Sequence, residues 1–87
     1  GANMAGVKLV GSFASKADFS DAILSGANIS HADLRGAVFM GADLSGADVE
    51  GVKLSGANFK SAILTGIDID KITGSDIDIS SAITDEN

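Results

Sequence analysis

The sequence predicts an all-β fold, a four-sided parallel solenoid, from two features of its repetition. The chain repeats every five residues from Ala2 to Glu86 without an insertion. The clearest blocks, such as Ala42–Gly46, carry a small apolar residue first, a large apolar residue at the centre and a glycine last. The block centres also match in kind at a separation of 20 residues. The first feature indicates the type of structure, and the second indicates how many blocks make one coil.

The five-residue period excludes a helix and requires a chain that turns at every block. Five residues of α-helix advance by about 500°, or about 140° net, so the apolar positions would wind around the whole surface. In an extended chain the first and third residues of a block share a face, because side chains alternate, but the next block breaks that alternation. The chain must therefore turn every five residues. Glycine suits such a corner because it adopts positive φ at little cost.

The separation of 20 residues predicts four blocks per coil, with like residues stacked inside the solenoid. A separation of 15 residues would instead pair Leu24 with Phe39 and Leu54 with Ile69. About four such coils make a single domain over residues 1–87, with its repeats at 2–86. The predicted interior ladders are Phe19, Phe39 and Phe59; Leu24, Leu44 and Leu64; Ile29, Val49 and Ile69; and Leu34 and Leu54.

Blocks that begin with Ala, then Asp or Asn, then Leu, Ile or Phe resemble the pentapeptide repeat family. The resemblance covers almost the whole chain and implies a right-handed quadrilateral β-helix, in agreement with the usual handedness of parallel β crossovers. The family includes bacterial proteins that protect or inhibit DNA gyrase by mimicking DNA, and secreted effectors with a repeat domain. The blocks that carry the resemblance begin with Ala17-Asp18-Phe19, Ala27-Asn28-Ile29, Ala32-Asp33-Leu34, Ala42-Asp43-Leu44 and Ala57-Asn58-Phe59.

Composition and charge narrow the classes of function. The formal net charge of −6 at pH 7 disfavours direct nucleic-acid binding, because phosphate contacts require Lys and Arg. Six acids accompany five bases through Ile67, whereas six acids accompany one base from Asp68 onward, so the C-terminal end is the acidic end. The sequence has no cysteine and no apolar run close to the ~20 residues of a membrane span. We therefore expect no membrane partner and a cytoplasmic location, with a secreted effector as the alternative.

The sequence lacks the residue combinations that catalysis requires, so we expect a non-enzymatic protein without a cofactor. His31, the one histidine, occupies a corner position, where a solvated turn residue is expected. Nucleophilic catalysis lacks its usual partners, since cysteine and tyrosine are absent. The pairs Asp68 and Asp70, and Asp76 and Asp78, offer carboxylates to Ca²⁺, but their spacing matches no helix-loop-helix calcium loop. We expect these aspartates to be solvated and to hold no metal.

Two departures from the repeat lie at outward positions. The second position of a block usually holds Asp or Asn, but Ile23, Val38 and Ile63 occupy it on two neighbouring sides of the solenoid, and Met40 lies at the corner between these sides. Stacked coils would bring these four residues into one apolar patch, which is a candidate partner-binding surface. Phe13 also falls at a second position. It is either turned inward by a local shift of the chain or exposed against a cap or a partner.

Two functional hypotheses follow. The favoured one is a structural or protein–protein interaction module whose partner the sequence does not identify, and which is a fragment or domain of a longer protein. Open solenoid ends expose unpaired backbone edges, so we expect another domain or an end-to-end homodimer to cover them. The alternative is an acidic DNA mimic that binds DNA gyrase or topoisomerase and inhibits or protects it. Against mimicry, Lys8, Lys53 and Lys60 interrupt the acidic lines that an imitation of DNA requires.

Overall fold

The computed structural model describes residues 2–72 and 77–85, and its backbone pairs at single residues rather than along extended strands. The isolated parallel β-bridges join residues 20 apart, from Asn3 with Ile23 to Ile63 with Ile83. Each bridge residue is the second residue of its block, so blocks that are four apart in sequence stack directly on one another. The one helix in these residues is a 3-10 helix, Ile69–Lys71. One coil therefore takes 20 residues.

The bridges define four columns of stacked blocks, which are numbered here in chain order. Each column is identified by the second residues of its blocks, because these residues form the bridges. They are Asn3, Ile23, Asp43, Ile63 and Ile83 in the first column; Lys8, Asn28 and Asp48 in the second; Phe13, Asp33 and Lys53 in the third; and Asp18, Val38, Asn58 and Asp78 in the fourth.

Four of the five backbone amides in a block donate to other backbone groups, as the block Ala22–Gly26 shows. Ala22 donates across the corner to the preceding block at 3.0 Å. Ile23 donates to the preceding coil at 2.8 Å, and Leu24 and Gly26 donate to the following coil at 2.7 and 2.8 Å. Since nearly all buried backbone donors in proteins are paired, this pattern accounts for the stability of the short sides. Only the fourth amide of the block depends on a side chain.

The fourth amide is bonded by the second residue wherever that residue is Asp or Asn. Asp18 accepts from the N–H of Ser20 at 2.9 Å, and Asn58 accepts from the N–H of Lys60 at 2.9 Å. The same bond recurs at the other Asp and Asn residues of this position in the described chain. Such Asx turns explain why the repeat favours Asp and Asn at a position that points outward. An apolar residue at this position cannot accept the hydrogen bond from the fourth amide.

The corners from Gly6 to Gly66 use left-handed backbone. From Gly6 to Gly66, the fifth residues of the blocks have φ between 59° and 75°. Lys16, Asp21, His31 and Ser61 adopt this conformation without being glycine, which is uncommon for residues with a Cβ. Gly51 has a second reason to be glycine, because a Cβ there would collide with the imidazole of His31 in the coil before it. His31 is therefore an exposed corner residue that packs on the next corner.

The interior consists of the first and third residues of the blocks. In the fourth column the rings of Phe19, Phe39 and Phe59 stack almost in parallel, with centroids 5.2 and 5.1 Å apart. Phe19 is half-buried because it lies in the first coil of the structure, whereas the two later rings are buried. The other centres predicted to lie inside are also buried: Leu24, Leu44, Leu64, Ile29, Val49, Leu34 and Leu54.

The last coil departs from the regular pattern at Ile69. This residue was expected to stack on Val49, but it begins the 3-10 helix and is half-buried against the core. Ile67 and Ile72 are buried at first positions that Ala47 and Val52 occupy one coil earlier. The larger side chains fill interior space, so less remains for Ile69. The predicted centre Gly74 and the carboxylate of Asp76 lie outside the described residues.

Within residues 2–72 and 77–85, no helix combines the length and the apolar character that a membrane crossing needs.

Candidate interaction surface

The four residues of the predicted apolar patch lie on the first and fourth columns. Ile23 is 42% exposed and Met40 is 41% exposed, while Val38 and Ile63 are half-buried. Ile23 and Ile63 belong to the first column and Val38 to the fourth. Met40 follows Val38 at the corner that leads into the first column. We call these four residues the apolar patch.

Asp43 divides the apolar patch on the first column, because it bridges both Ile23 and Ile63. It is half-buried, and it accepts a hydrogen bond from the N–H of Ser45 at 3.0 Å. Hydrogen bonds from the side chain and then the backbone of Ser45 lower the pKa of Asp43. The carboxylate is thus engaged within its own block, and its charge is held at the centre of the patch.

One further isoleucine of the first column extends this surface beyond the four predicted residues. Ile83 bridges Ile63 in the first column and is 49% exposed. The sequence already places Ile83 outward in the same column as Ile23 and Ile63, but the predicted patch did not include it. The apolar surface therefore continues toward the C-terminal end of the first column.

Phe13 points outward and is 90% exposed, so the chain is not shifted inward at this block. Its backbone forms the regular bridge to Asp33 in the third column. Ala14 keeps the centre of the block and is half-buried against the core. Of the two alternatives that the sequence allowed, the structure shows the exposed one.

An ion pair lies beside Phe13 on the third column. The guanidinium of Arg35 donates to Asp33 through Nε at 2.8 Å and through Nη2 at 2.7 Å, in a bidentate arrangement. The hydrogen bond from Arg35 is the main reason why the pKa of Asp33 falls from 3.8 to about 2, and the charge of Lys53 lowers it further. Asp33 is therefore ionised and locally neutralised at physiological pH.

The described part of the acidic end contains a pocket but no group of metal ligands. Two charged groups of this end are engaged in local contacts. Asp68 caps the 3-10 helix by accepting a hydrogen bond from the N–H of Asp70 at 3.1 Å. Lys71 Nζ lies 2.5 Å from Glu50, and the resulting hydrogen bond raises the pKa of Lys71. Across residues 2–72 and 77–85, no three His, Asp or Glu side chains come together as a metal site would need. The pocket is lined by Ile67, Asp68, Ile69, Asp70, Thr84 and Asp85.

Carboxylates are kept apart along the columns. Asp48 bridges Asn28, Asp33 bridges Phe13 and Lys53, and none of the bridges in the described chain joins two acidic residues. Like charges placed directly opposite each other on paired strands are destabilising, which gives this spacing a physical reason. The bridge residues thus carry separated negative charges rather than a continuous acidic line.

A family model for pentapeptide repeats matches residues 2–39 and 37–72, with eight copies of the repeat. The chain belongs to the pentapeptide repeat family. A crystal structure of the pentapeptide repeat protein Rfr23, from the cyanobacterium Cyanothece 51142, is similar with 34% identity and a TM-score of 0.74. That similarity covers 99% of this chain and 58% of the cyanobacterial chain. Together with the bridges, membership of the family identifies the fold as a right-handed β-helix solenoid.

A second solved pentapeptide repeat protein, from Nostoc PCC 7120, matches with 25% identity and a TM-score of 0.47, over 95% of this chain and 76% of the other. No curated protein matches this pentapeptide repeat chain.

Proposed function

We propose that this pentapeptide repeat chain is a non-enzymatic module that binds another protein through the apolar patch. The observation that carries the proposal is the replacement of Asp or Asn by Ile23, Val38 and Ile63 at outward second positions. Each replacement gives up the side-chain acceptor that closes the Asx turn elsewhere in the chain. It also adds apolar surface beside the exposed Met40. Apolar residues grouped on one part of the surface, here on either side of Asp43, are typical of interaction sites.

We also propose that the solenoid is quadrilateral and has about four coils. Its support is the bridging of residues 20 apart and the left-handed corner at every fifth residue from Gly6 to Gly66. Four sides per coil put the first and third columns on opposite faces. The apolar patch then wraps the edge between the fourth and first columns.

An end-to-end homodimer is the second contact that we propose. The centres of the first described coil, Met4, Leu9, Ala14 and Phe19, are half-buried, whereas the centres stacked on them are buried. This layer is apolar and less covered than the layer stacked on it. Sedimentation velocity should show a concentration-dependent dimer, and a single monomeric species at every concentration would contradict this contact.

Variants that follow the repeat itself test the apolar patch. Ile23→Asn and Ile63→Asn supply the Asx acceptor that other blocks contain, and Met40→Ser matches Ser20 and Ser80 of the same column position. The triple variant should keep the thermal midpoint, because it adds hydrogen bonds while it removes exposed apolar groups. We expect the triple variant to lose only its binding to the partner protein.

Affinity capture from a lysate of the source organism supplies the binding measurement. The wild type should retain a specific protein that the triple variant loses. The matched control is Val10→Asn, which alters an exposed apolar residue outside the patch and should leave capture unchanged. Equal recovery of the same protein by wild type and triple variant would remove the support for this site.

DNA mimicry is the alternative function, and the net charge of −6 is the observation in its favour. The separation of the carboxylates along the columns disfavours it, since none of the described bridges joins two acids. A gyrase supercoiling assay distinguishes the two functions. Inhibition by micromolar protein would support mimicry, and we expect none. We also propose that the protein is located in the cytoplasm, and cell fractionation of the full-length protein tests this location.

A further inference from the structure

The third column carries a positive surface on an otherwise acidic protein. Its blocks at 12–16, 32–36 and 52–56 contain Lys16, Arg35 and Lys53 but only one acid, Asp33. Arg35 is engaged with Asp33 in the bidentate ion pair. Lys16 and Lys53 are exposed and form no ion pair within the described residues. Two cations are therefore available to a ligand on this column.

Phe13 lies on the same surface and supplies an apolar contact. Phe13 bridges Asp33, which bridges Lys53, so the three side chains follow one another up the column. With a strand spacing of about 4.8 Å, Phe13 and Lys53 are about 9.6 Å apart. The stem of Lys16 lies over the corner at Gly36, within 3.3 Å of where a Cβ would be, and so borders the same surface. An aromatic ring that is 90% exposed thus lies on the same column as two exposed lysines.

We propose that this surface binds an acidic peptide segment of a partner protein, with an aromatic residue over Phe13 and a carboxylate three residues later at Lys53. A polyproline II segment has three residues per turn and a rise of 3.1 Å, so residues i and i+3 project from one side about 9.3 Å apart. This separation matches the two coil spacings between Phe13 and Lys53. The two intervening residues pass over Asp33 and must be uncharged.

Asp33 distinguishes a peptide from a continuous polyanion. It lies between Phe13 and Lys53, and its bidentate ion pair with Arg35 leaves no net charge at this position of the column. A nucleic-acid strand would place phosphates along the whole column, including over Asp33, and would gain only two unpaired lysines. An anionic membrane surface meets the same obstacle. A peptide can carry its negative charge at one point and leave the position over Asp33 neutral.

This surface is separate from the apolar patch, which lies on the first and fourth columns. The proposal adds a second binding surface and does not depend on the proposed role of the patch. Its failure and the failure of the patch are distinguishable, because Ile23→Asn affects one surface and Phe13→Asn the other.

A fluorescein-labelled ten-residue peptide that contains Phe-Pro-Pro-Glu is the probe, and fluorescence anisotropy with the whole chain is the measurement. Phe13→Asn and Lys53→Gln should each weaken binding at least tenfold. Phe13→Asn also gives the block an Asx acceptor, so its circular dichroism spectrum should match the wild type. The control Ile23→Asn should change affinity less than twofold. A peptide with Lys in place of Glu should bind at least tenfold more weakly, and raising the salt from about 50 to about 300 mM should weaken binding severalfold through screening.

Three results would overturn the proposal. One is the absence of saturable binding of the Phe-Pro-Pro-Glu peptide to the folded wild type. Another is binding that Phe13→Asn and Lys53→Gln leave unchanged. The third is tighter binding of oligo-dT or of phosphatidylserine vesicles than of the peptide, with the same dependence on Lys53, which would assign the surface to a polyanion.

Discussion

Replacing Phe39 with alanine should remove the middle of the aromatic ladder and much of the stability of the domain. Phe39 is buried, and its ring lies between Phe19 at 5.2 Å and Phe59 at 5.1 Å. Core Phe→Ala substitutions cost about 3–5 kcal/mol, and each aromatic pair adds about 0.5–1.5 kcal/mol beyond the area that it buries. Because both pairs are lost at once, we expect a cost near the upper end, about 5 kcal/mol. That is a large share of the free energy of unfolding of a typical protein, which is roughly 5–15 kcal/mol.

Phe19→Ala is the matched comparison, because Phe19 is half-buried and stacks on one ring only. We expect it to cost about half as much, roughly 2–3 kcal/mol. Urea denaturation followed by far-ultraviolet circular dichroism measures both, and the wild-type spectrum should show β structure with almost no helix. Equal costs for the two variants, or a cost below about 1 kcal/mol for Phe39→Ala, would refute the stacked interior.

Three further predictions concern the corners, the Asx turns and the ion pair. Gly26→Ala should cost about 1 kcal/mol in a thermal melt, although nothing lies within 4 Å of the added Cβ, because φ is +66° and left-handed backbone is strained for alanine. Asn28→Ala should cost about 1–3 kcal/mol, since Asn28 accepts from both the N–H (3.0 Å) and the Oγ (2.7 Å) of the buried Ser30. Asp33 has a lowered pKa in the folded state, so its stabilising contribution is present above the unfolded pKa and is lost as the pH falls from about 4 to about 2. Arg35→Gln should raise the pKa of Asp33 toward 3.8 in an NMR titration and remove that part of the acid dependence.

The family and the β-helix could be predicted from the sequence because the fold repeats one local solution. Each block needs a small first residue, a large centre and a corner that tolerates positive φ, and these needs are visible as a period of five. The similarity of Phe39 to Phe19 and Phe59 then indicates which blocks stack. Ladder residues in a solenoid contact similar residues in the next coil, so their contacts recur at a fixed separation in the sequence.

The large first residues of the last coil indicate different packing there, but the positions of Ile69 and Phe13 could not be predicted, because they depend on competition for space and on register. Ile69 keeps the period but is half-buried, since Ile67 and Ile72 take interior volume near it. Phe13 was ambiguous because an apolar residue at an outward position fits either a shifted register or an exposed side chain. The bridge to Asp33 decides between them, and a bridge depends on a residue 20 positions away.

The most direct test of the apolar patch as the protein-binding surface is an NMR titration of the isotope-labelled chain with the captured partner. Our account predicts that the amide signals of Ile23, Val38, Met40 and Ile63 shift or broaden first, with Ile83 affected next. Signals of the second column, such as that of Asn28, should stay unchanged. Perturbations confined to the second column, with the four patch residues unaffected, would contradict the account.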